Sequence, residues 1–341
     1  MGKIEREAGA KAPVFDMAKI SQQPTDRVAE AIDAYHEAKS DVARPHLGAS
    51  ILGHHCDRWI WLSFRWAVRE KFPGRIRRLF RRGHKEENVI TDDLRAIGLD
   101  LRHTGYDQQV VELGGHMGGS VDGIIESGVP GAEAARHIVE YKTHALKSFE
   151  DLLKTCVLDS KPMHWWVRYD PESAEKLLDR GRRISTAERI PDPISTNPSW
   201  WKCKFCAAHS FCHERRLTQE VNCRTCAHST PTDDGKWGCA RWKVDHVEVE
   251  HQRTGCHAHV LHPDMVPWPI KDSGDPSEAV YEIDGVDVRN GEADAFTFAS
   301  QELIAGGEAC ASQEVGEVRR VFPGAKVKEV RDVTRLPAES N

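Results

Sequence analysis

Seven of the ten cysteines fall between Cys203 and Cys256, grouped in short-spaced sets. No other feature restricts the fold so strongly. Thiols at Cys-x-x-Cys spacing suit one shared metal centre, and in a reducing compartment they signal metal more often than disulfides. The first array, CKFCAAHSFC, places Cys203, Cys206 and Cys212 at C-x2-C-x5-C spacing, and Cys56 stands alone far upstream. The second begins with Cys223 and Cys226 in CRTC and continues to Cys239 in WGCARW and Cys256 in TGCHAH. Its four cysteines suit a zinc site, with His228, His257 or His259 as replacements for one ligand. Cys156 and Cys310 fit neither array and read as ordinary thiols.

At 341 residues the chain has room for two or three domains and a sizeable core. No apolar run is long enough to span a bilayer, and MGKIEREAGAKAPVF lacks the apolar centre of a signal peptide. The expectation is a soluble, cytoplasmic protein without a membrane partner. A net charge of −6 gives no general attraction to nucleic acid, so any such binding must come from a local basic patch.

Residues 1–25 read as a loose arm. TDRVAEAIDAYHEAKS reads as a helix with Val28, Ile32 and Tyr35 on one stripe, ended before Pro45. Ser50 is placed to cap a second helix, ILGHHCDRWIWLSFRWAVRE. In FPGRIRRLFRRGHKEENVI, Ile76, Leu79, Phe80 and Gly83 fall at helical spacing as an inner face, with His84 at its edge. Arg77, Arg78, Arg81, Arg82 and Lys85 lie outside it, as a solvated face or a track for DNA phosphates.

Residues 107–142 read as antiparallel strands: DQQVVELGG, HMGGSVDGIIES with Asp122 inside it, and RHIVEYKT after a turn. THALKSFEDLLKTCVL and YDPESAEKLLDRGRRI read as helices, the latter with Pro171 in its first turn, and PDPISTNPSW as a linker. Beyond Trp268, AVYEIDGVDV suggests a strand and ASQELIAG a short helix.

Strand alternation puts Glu140 and Lys142 of HIVEYKTH on one face and Tyr141 on the other. Such a pair is either a surface ion pair of little energetic weight or a metal-binding carboxylate beside an ammonium. An acid at Asp122 among Val121, Ile124 and Ile125 is costly unless paired or metal-bound.

Taken in order, GHKEE, GGSVDG and VEYKTH resemble the PD-(D/E)XK nuclease superfamily, and most closely its RecB-like exonucleases, which include CRISPR-adaptation and phage enzymes. The resemblance covers roughly residues 46–215, a domain-sized stretch. It implies an α/β, restriction-endonuclease-like core: a mixed sheet flanked by helices. It further implies a Mg²⁺ or Mn²⁺ site made of His84, Asp122, Glu140 and the Tyr141 backbone carbonyl. Carboxylates suit these hard cations, and imidazole suits Mn²⁺ better than Mg²⁺. The catalytic residues would be Asp122, Glu140 and Lys142, with Lys142 acting on the attacking water or on phosphate charge. RecB-like nucleases with an iron–sulfur staple use one early cysteine and a late triplet. By that resemblance Cys56, Cys203, Cys206 and Cys212 hold a [4Fe–4S] cluster, with zinc as the structural rival and His209 and His213 as nearby alternative ligands.

The family continues past its E-x-K strand with a helix carrying Gln-x-x-x-Tyr. This chain has no Gln between Gln109 and Gln219, and it passes from KPMH to VRYDP at about Trp165–Trp166. A core helix and a strand are expected to be missing there, leaving apolar sheet surface and an unpaired edge.

The expected organisation is an N-terminal arm and helix over 1–45 and the nuclease core with its staple over 46–215. A four-cysteine zinc-like module follows over 216–268, then a C-terminal region of unassigned role over 269–341. The expected function is a metal-dependent DNA exonuclease of phage-type recombination or DNA processing. Its partners would be DNA with linear or single-stranded ends and a recombination protein. The alternative is a catalytically impaired DNA-binding protein that keeps both cysteine sites. A zinc-bearing protein–protein adaptor would explain the late cysteines but not the ordered His, Asp, Glu and Lys. A zinc deaminase is disfavoured, since no H-x-E precedes a P-C-x-x-C.

Overall fold

The computed structural model describes residues 27–39, 42–133, 135–142 and 169–328. The expected helix THALKSFEDLLKTCVL, Cys156 and the junction at Trp165–Trp166 lie outside the described residues. The chain is mixed α/β, with small mixed and antiparallel sheets flanked by helices. It divides into two compact units, one of residues 1–41 and 72–85, the other of residues 42–71 and 86–341.

The first unit contains helix α1 (Arg27–Glu37) and the start of a long helix introduced below as α3. Arg78 Nε meets Asp33 Oδ1 at 2.8 Å, and the Phe72 and Phe80 rings meet edge to face at 5.0 Å. The apolar stripes expected here do not form a buried face. Leu79 is 51% and Phe80 48% exposed, and Val28, Ile32 and Tyr35 of α1 are exposed as well, while His36 is buried. Helical periodicity shows which residues share a face, but not whether anything covers it.

In the second unit, strand β1 (Leu47–Gly48) is followed by a single 3-10 turn and then helix α2 (Asp57–Phe64). The expected helix from Ile51 therefore begins six residues late. Cys56, extended at φ −120°, is the N-cap of α2, with its amide given to His54 Nδ1 at 3.2 Å. Ile60, Trp61, Leu62 and Phe64 of α2 are all buried in the main core.

Helix α3 (Gly74–Ala96) leads to strands β2 (Leu101–Arg102), β3 (Val110–Glu112), β4 (Met117–Ser120), β5 (Gly123–Ile125) and β6 (His137–Val139). They form two sheets. One has the order β1–β4–β3, with β1 parallel to β4. The other is antiparallel, in the order β2–β5–β6.

Helix α4 (Pro171–Ser185) starts as its sequence suggests. Pro171 occupies the first turn, and the Asp170 carboxylate accepts the Glu172 and Ser173 amides at 3.1 and 3.2 Å. It lies against α2 and β4. A Cβ on Gly181 would stand 2.3 Å from Met117 Sδ, so a larger residue there would have to displace the Met117 side chain. Arg180 and Arg183 grip the two oxygens of Asp57 at the start of α2, the latter at 2.7 Å.

Short helices α5 (Trp201–Lys204) and α6 (His209–His213) precede the hairpin of β7 (Ser229–Pro231) and β8 (Trp237–Cys239) and helix α7 (Val249–Thr254). The C-terminal part is a four-stranded sheet ordered β12–β11–β10–β9. Its strands are β9 (Ile270–Lys271), β10 (Ala279–Ile283), β11 (Val286–Asn290) and β12 (Thr297–Phe298), covered by α8 (Ser300–Gly306) and α9 (Gln313–Val321). AVYEIDGVDV is thus a hairpin, β10 to β11, rather than one strand. Tyr281, Ile283, Val288 and Leu303 make its core, and a buried Arg319–Glu302 pair at 2.8 Å joins α9 to α8. Among the described residues no helix is long and apolar enough to cross a membrane.

His116 and His259 are both buried, and burial holds each imidazole down to about 4 from an ordinary 6.5. As pH falls, the unfolded chain takes up protons before the folded one. The stability due to the neutral rings is complete above about 6.5 and is lost on descending toward about 4. Urea titrations at pH 7 and pH 4.5 should differ by about 2–5 kcal/mol. The difference should shrink in His116→Phe. A pH-independent midpoint would contradict this account.

Candidate functional site

The sequence places Asp122 inside one long strand, but the structure interrupts that strand. Ser120 ends β4 in one sheet, Gly123 begins β5 in the other, and Val121–Asp122 is the step between them. In the β5–β6 ladder Gly123 lies opposite Val139, so Asp122 and Glu140 extend from the same open end. Glu140, Tyr141 and Lys142 likewise sit just past β6 rather than within it. The ladder stops because a side chain takes over from the backbone: Asp122 Oδ2 accepts the Tyr141 amide at 2.8 Å. Its other oxygen accepts Gln108 Nε2 at 3.4 Å.

Alternation of faces persists past the strand end. The Lys142 ammonium donates to the Glu140 carboxylate, while the Tyr141 ring turns away to α3, where its hydroxyl meets Thr91 Oγ1 at 3.0 Å. The bond to Glu140, with the nearby charges of Asp122 and Glu87, raises the Lys142 pKa and keeps the ammonium charged. Glu140 and Lys142 are both exposed, so their contact adds little to stability. Asp122, Glu140 and Lys142 are thus gathered at one strand end. His84 lies exposed on α3 within the first unit, as do Arg81, Arg82 and Lys85. Arg77 and Arg78 are partly buried there, and Arg78 is engaged by Asp33.

Sequence reasoning passed over Gln108, which bonds Asp122 itself, and Thr91, which holds the neighbouring Tyr141. The sequence offered no clear signal for either; the structure shows Thr91 as a buried polar residue of α3.

Cys56, Cys203, Cys206 and Cys212 line one cavity together with His55 and Trp59. Cys56 and Cys203 are buried, the other two half-buried. Burial pushes the thiols of Cys203, Cys206 and Cys212 up, and neighbouring cysteines add to it. His209 Nδ1 lies 3.0 Å from the Cys203 carbonyl, which commits that nitrogen.

Cys223, Cys226, Cys239 and Cys256 line a second cavity with His228 and His259. His259 has both ring nitrogens occupied, Nδ1 by Ser300 Oγ at 2.8 Å and Nε2 by the Asn222 carbonyl at 3.0 Å, so it is no ligand. His257 is exposed beside Glu292. Among the described residues no three His, Cys, Asp or Glu side chains are already gathered into a metal-holding group.

Asp122 also has a structural task, separable from any chemistry. Asp122→Ala should lower stability by about 1–2 kcal/mol by orphaning the Tyr141 amide, whereas Asp122→Asn should cost clearly less. Equal losses in denaturant titrations would show that this bond is not what holds the strand end.

No family model, curated protein or solved structure matches the chain.

Proposed function

We propose that the chain is a metal-dependent deoxyribonuclease built on a restriction-endonuclease-like core, an exonuclease by its resemblance. The supporting observation is the convergence of Asp122, Glu140 and Lys142 at the open end of β5 and β6. Carboxylate oxygens are the donors that Mg²⁺ and Mn²⁺ prefer, and Asp122 and Glu140 would hold the ion with the Tyr141 carbonyl. When bound, such an ion neutralises phosphate charge and activates water.

The chain's own residues supply the rest. Asp122, fixed through the Tyr141 amide, keeps a set orientation. The raised Lys142 pKa suits it to stabilising phosphoryl charge as an ammonium better than to removing a proton. Thr91 anchors the Tyr141 ring and so limits movement of the segment that carries Glu140 and Lys142. Arg77, Arg78, Arg81, Arg82 and Lys85 supply basic groups on one helix for DNA phosphates.

The donor set of Cys56, Cys203, Cys206 and Cys212 fits a four-thiolate group, and a [4Fe–4S] cluster is the reading that the resemblance favours. Held there, it would join the start of α2 to α5 and α6.

A second reading is a DNA-binding protein that no longer cuts. Ile138 on β6, an edge strand among the described residues, is 71% exposed, which favours it, because a covered sheet would bury that side chain.

End-labelled linear DNA incubated with anaerobically purified protein and Mn²⁺ decides between them. Degradation should stop with chelator and fall by about 100-fold or more in Glu140→Ala and Lys142→Ala. Iron and acid-labile sulfide should be lost in Cys56→Ser. Activity indifferent to both active-site substitutions would remove the nuclease reading. Salt-sensitive binding without cleavage would establish the second.

A further inference from the structure

The segment from Cys223 to Cys256 has little to fold around. Apart from Pro231, its buried apolar side chains are Cys226 and Trp237. Its hairpin has three residues per strand, and an isolated hairpin of that size is marginal in water. Yet it is ordered into a turn, a hairpin and a helix, and each element delivers cysteine to one cavity.

The delivery is specific. Cys223 and Cys226 flank a 3-10 turn that Asn222 and Thr225 cap reciprocally. Cys226 is buried, and Cys223, Cys239 and Cys256 line the same cavity. Cys239 comes from β8, where a reciprocal backbone pair with Val244 (2.8 and 3.1 Å) fixes the strand end. Cys256 follows α7 through Gly255, at φ +65°, where a Cβ would stand 3.4 Å from Asn222 Cα. The positive φ is what calls for glycine there, and it turns the chain from the helix end to Cys256.

We propose that Cys223, Cys226, Cys239 and Cys256 form a closed, four-thiolate structural zinc site that holds this segment together. Binding releases the four thiol protons to solvent and forms four Zn–S bonds, with no change in oxidation state. Closure of the site would replace the missing apolar core with coordination energy. Because no position is left open, the ion's role is structural rather than catalytic. His228 lines the same cavity, and its Nε2 is buried without a partner among the described residues, so it is a competing ligand. This inference is independent of the nuclease reading.

The test is zinc content of the full-length chain after dialysis against chelator, with thiols counted under denaturing conditions. About one zinc per chain should remain, and all the cysteines should titrate as free thiols. The Cys239→Ser/Cys256→Ser double variant should lose at least about 10-fold in zinc occupancy, while Cys56→Ser, Cys310→Ser and His228→Ala retain it. Should the double variant fail to fold, Co²⁺ added to the metal-free wild-type chain still reads the ligands: intense thiolate-to-cobalt absorption with tetrahedral visible bands is expected. Zinc lost in Cys56→Ser or His228→Ala, iron in place of zinc, disulfides among these cysteines, or a cobalt spectrum without thiolate bands would each overturn the proposal.

Discussion

The guanidinium of Arg224 is the interaction on which the second unit turns. It is buried and carries a charge, yet its hydrogen bonds go to neutral oxygens: Phe64 O at 3.0 Å, Pro45 O at 2.6 Å and Gln252 Oε1 at 2.9 Å. The rings of Trp66, Trp237 and Phe64 complete its surroundings, the nearest at 3.8 Å. Burial, with Arg253 and Arg65 nearby, pulls its pKa down to about 9, so it still carries its charge near neutrality. A buried cation held this way is costly to disturb, because removing it strands several carbonyls at once. Its partners are also far apart in the chain. Phe64 ends the helix that Cys56 begins, and Gln252 lies in the helix that leads to Cys256. One side chain, set between Cys223 and Cys226, thus ties the scaffolds of both cysteine cavities to one core.

That arrangement explains why so little apolar residue serves so long a segment. The main core is centred on α2, whose Trp61 indole donates to the Ala187 carbonyl at 2.9 Å. A second core lies under the C-terminal sheet. Between them the chain relies on polar linkage: Arg224, the His259–Ser300 bond, and Asn290, which accepts the Leu261 amide at 2.7 Å. Polar linkage is directional, so it fixes positions more sharply than apolar contact does.

Legibility in the sequence follows the same division. Helix α4 could be read because Asp170 and Pro171 act locally, and β10 with α8 could be placed from short apolar patterns. The start of α2 could not, because Cys56 caps through extended backbone rather than through a polar side chain of the usual kind. The break at Val121–Asp122 was equally hidden. A period of two reports alternation, but not the sheet in which each half of a run pairs. At the acidic pair, Asp122, Glu140 and Lys142 were visible as residue types. Their setting was not, because Thr91 and Gln108 reach them from elsewhere in the chain.

The strand end of β5 and β6 is the proposed cation site. Among the described residues, Asp122 has one oxygen fixed by the Tyr141 amide and the other held only by Gln108 at 3.4 Å, and Glu140 beside an ammonium has a partner to exchange for a metal. Titration of Mn²⁺ followed by electron paramagnetic resonance measures this without any nucleic acid. The wild-type chain should sequester Mn²⁺ at a site that the Asp122→Asn/Glu140→Gln double variant, folded to the same extent, has lost. Equal Mn²⁺ binding by the two proteins would contradict the claim.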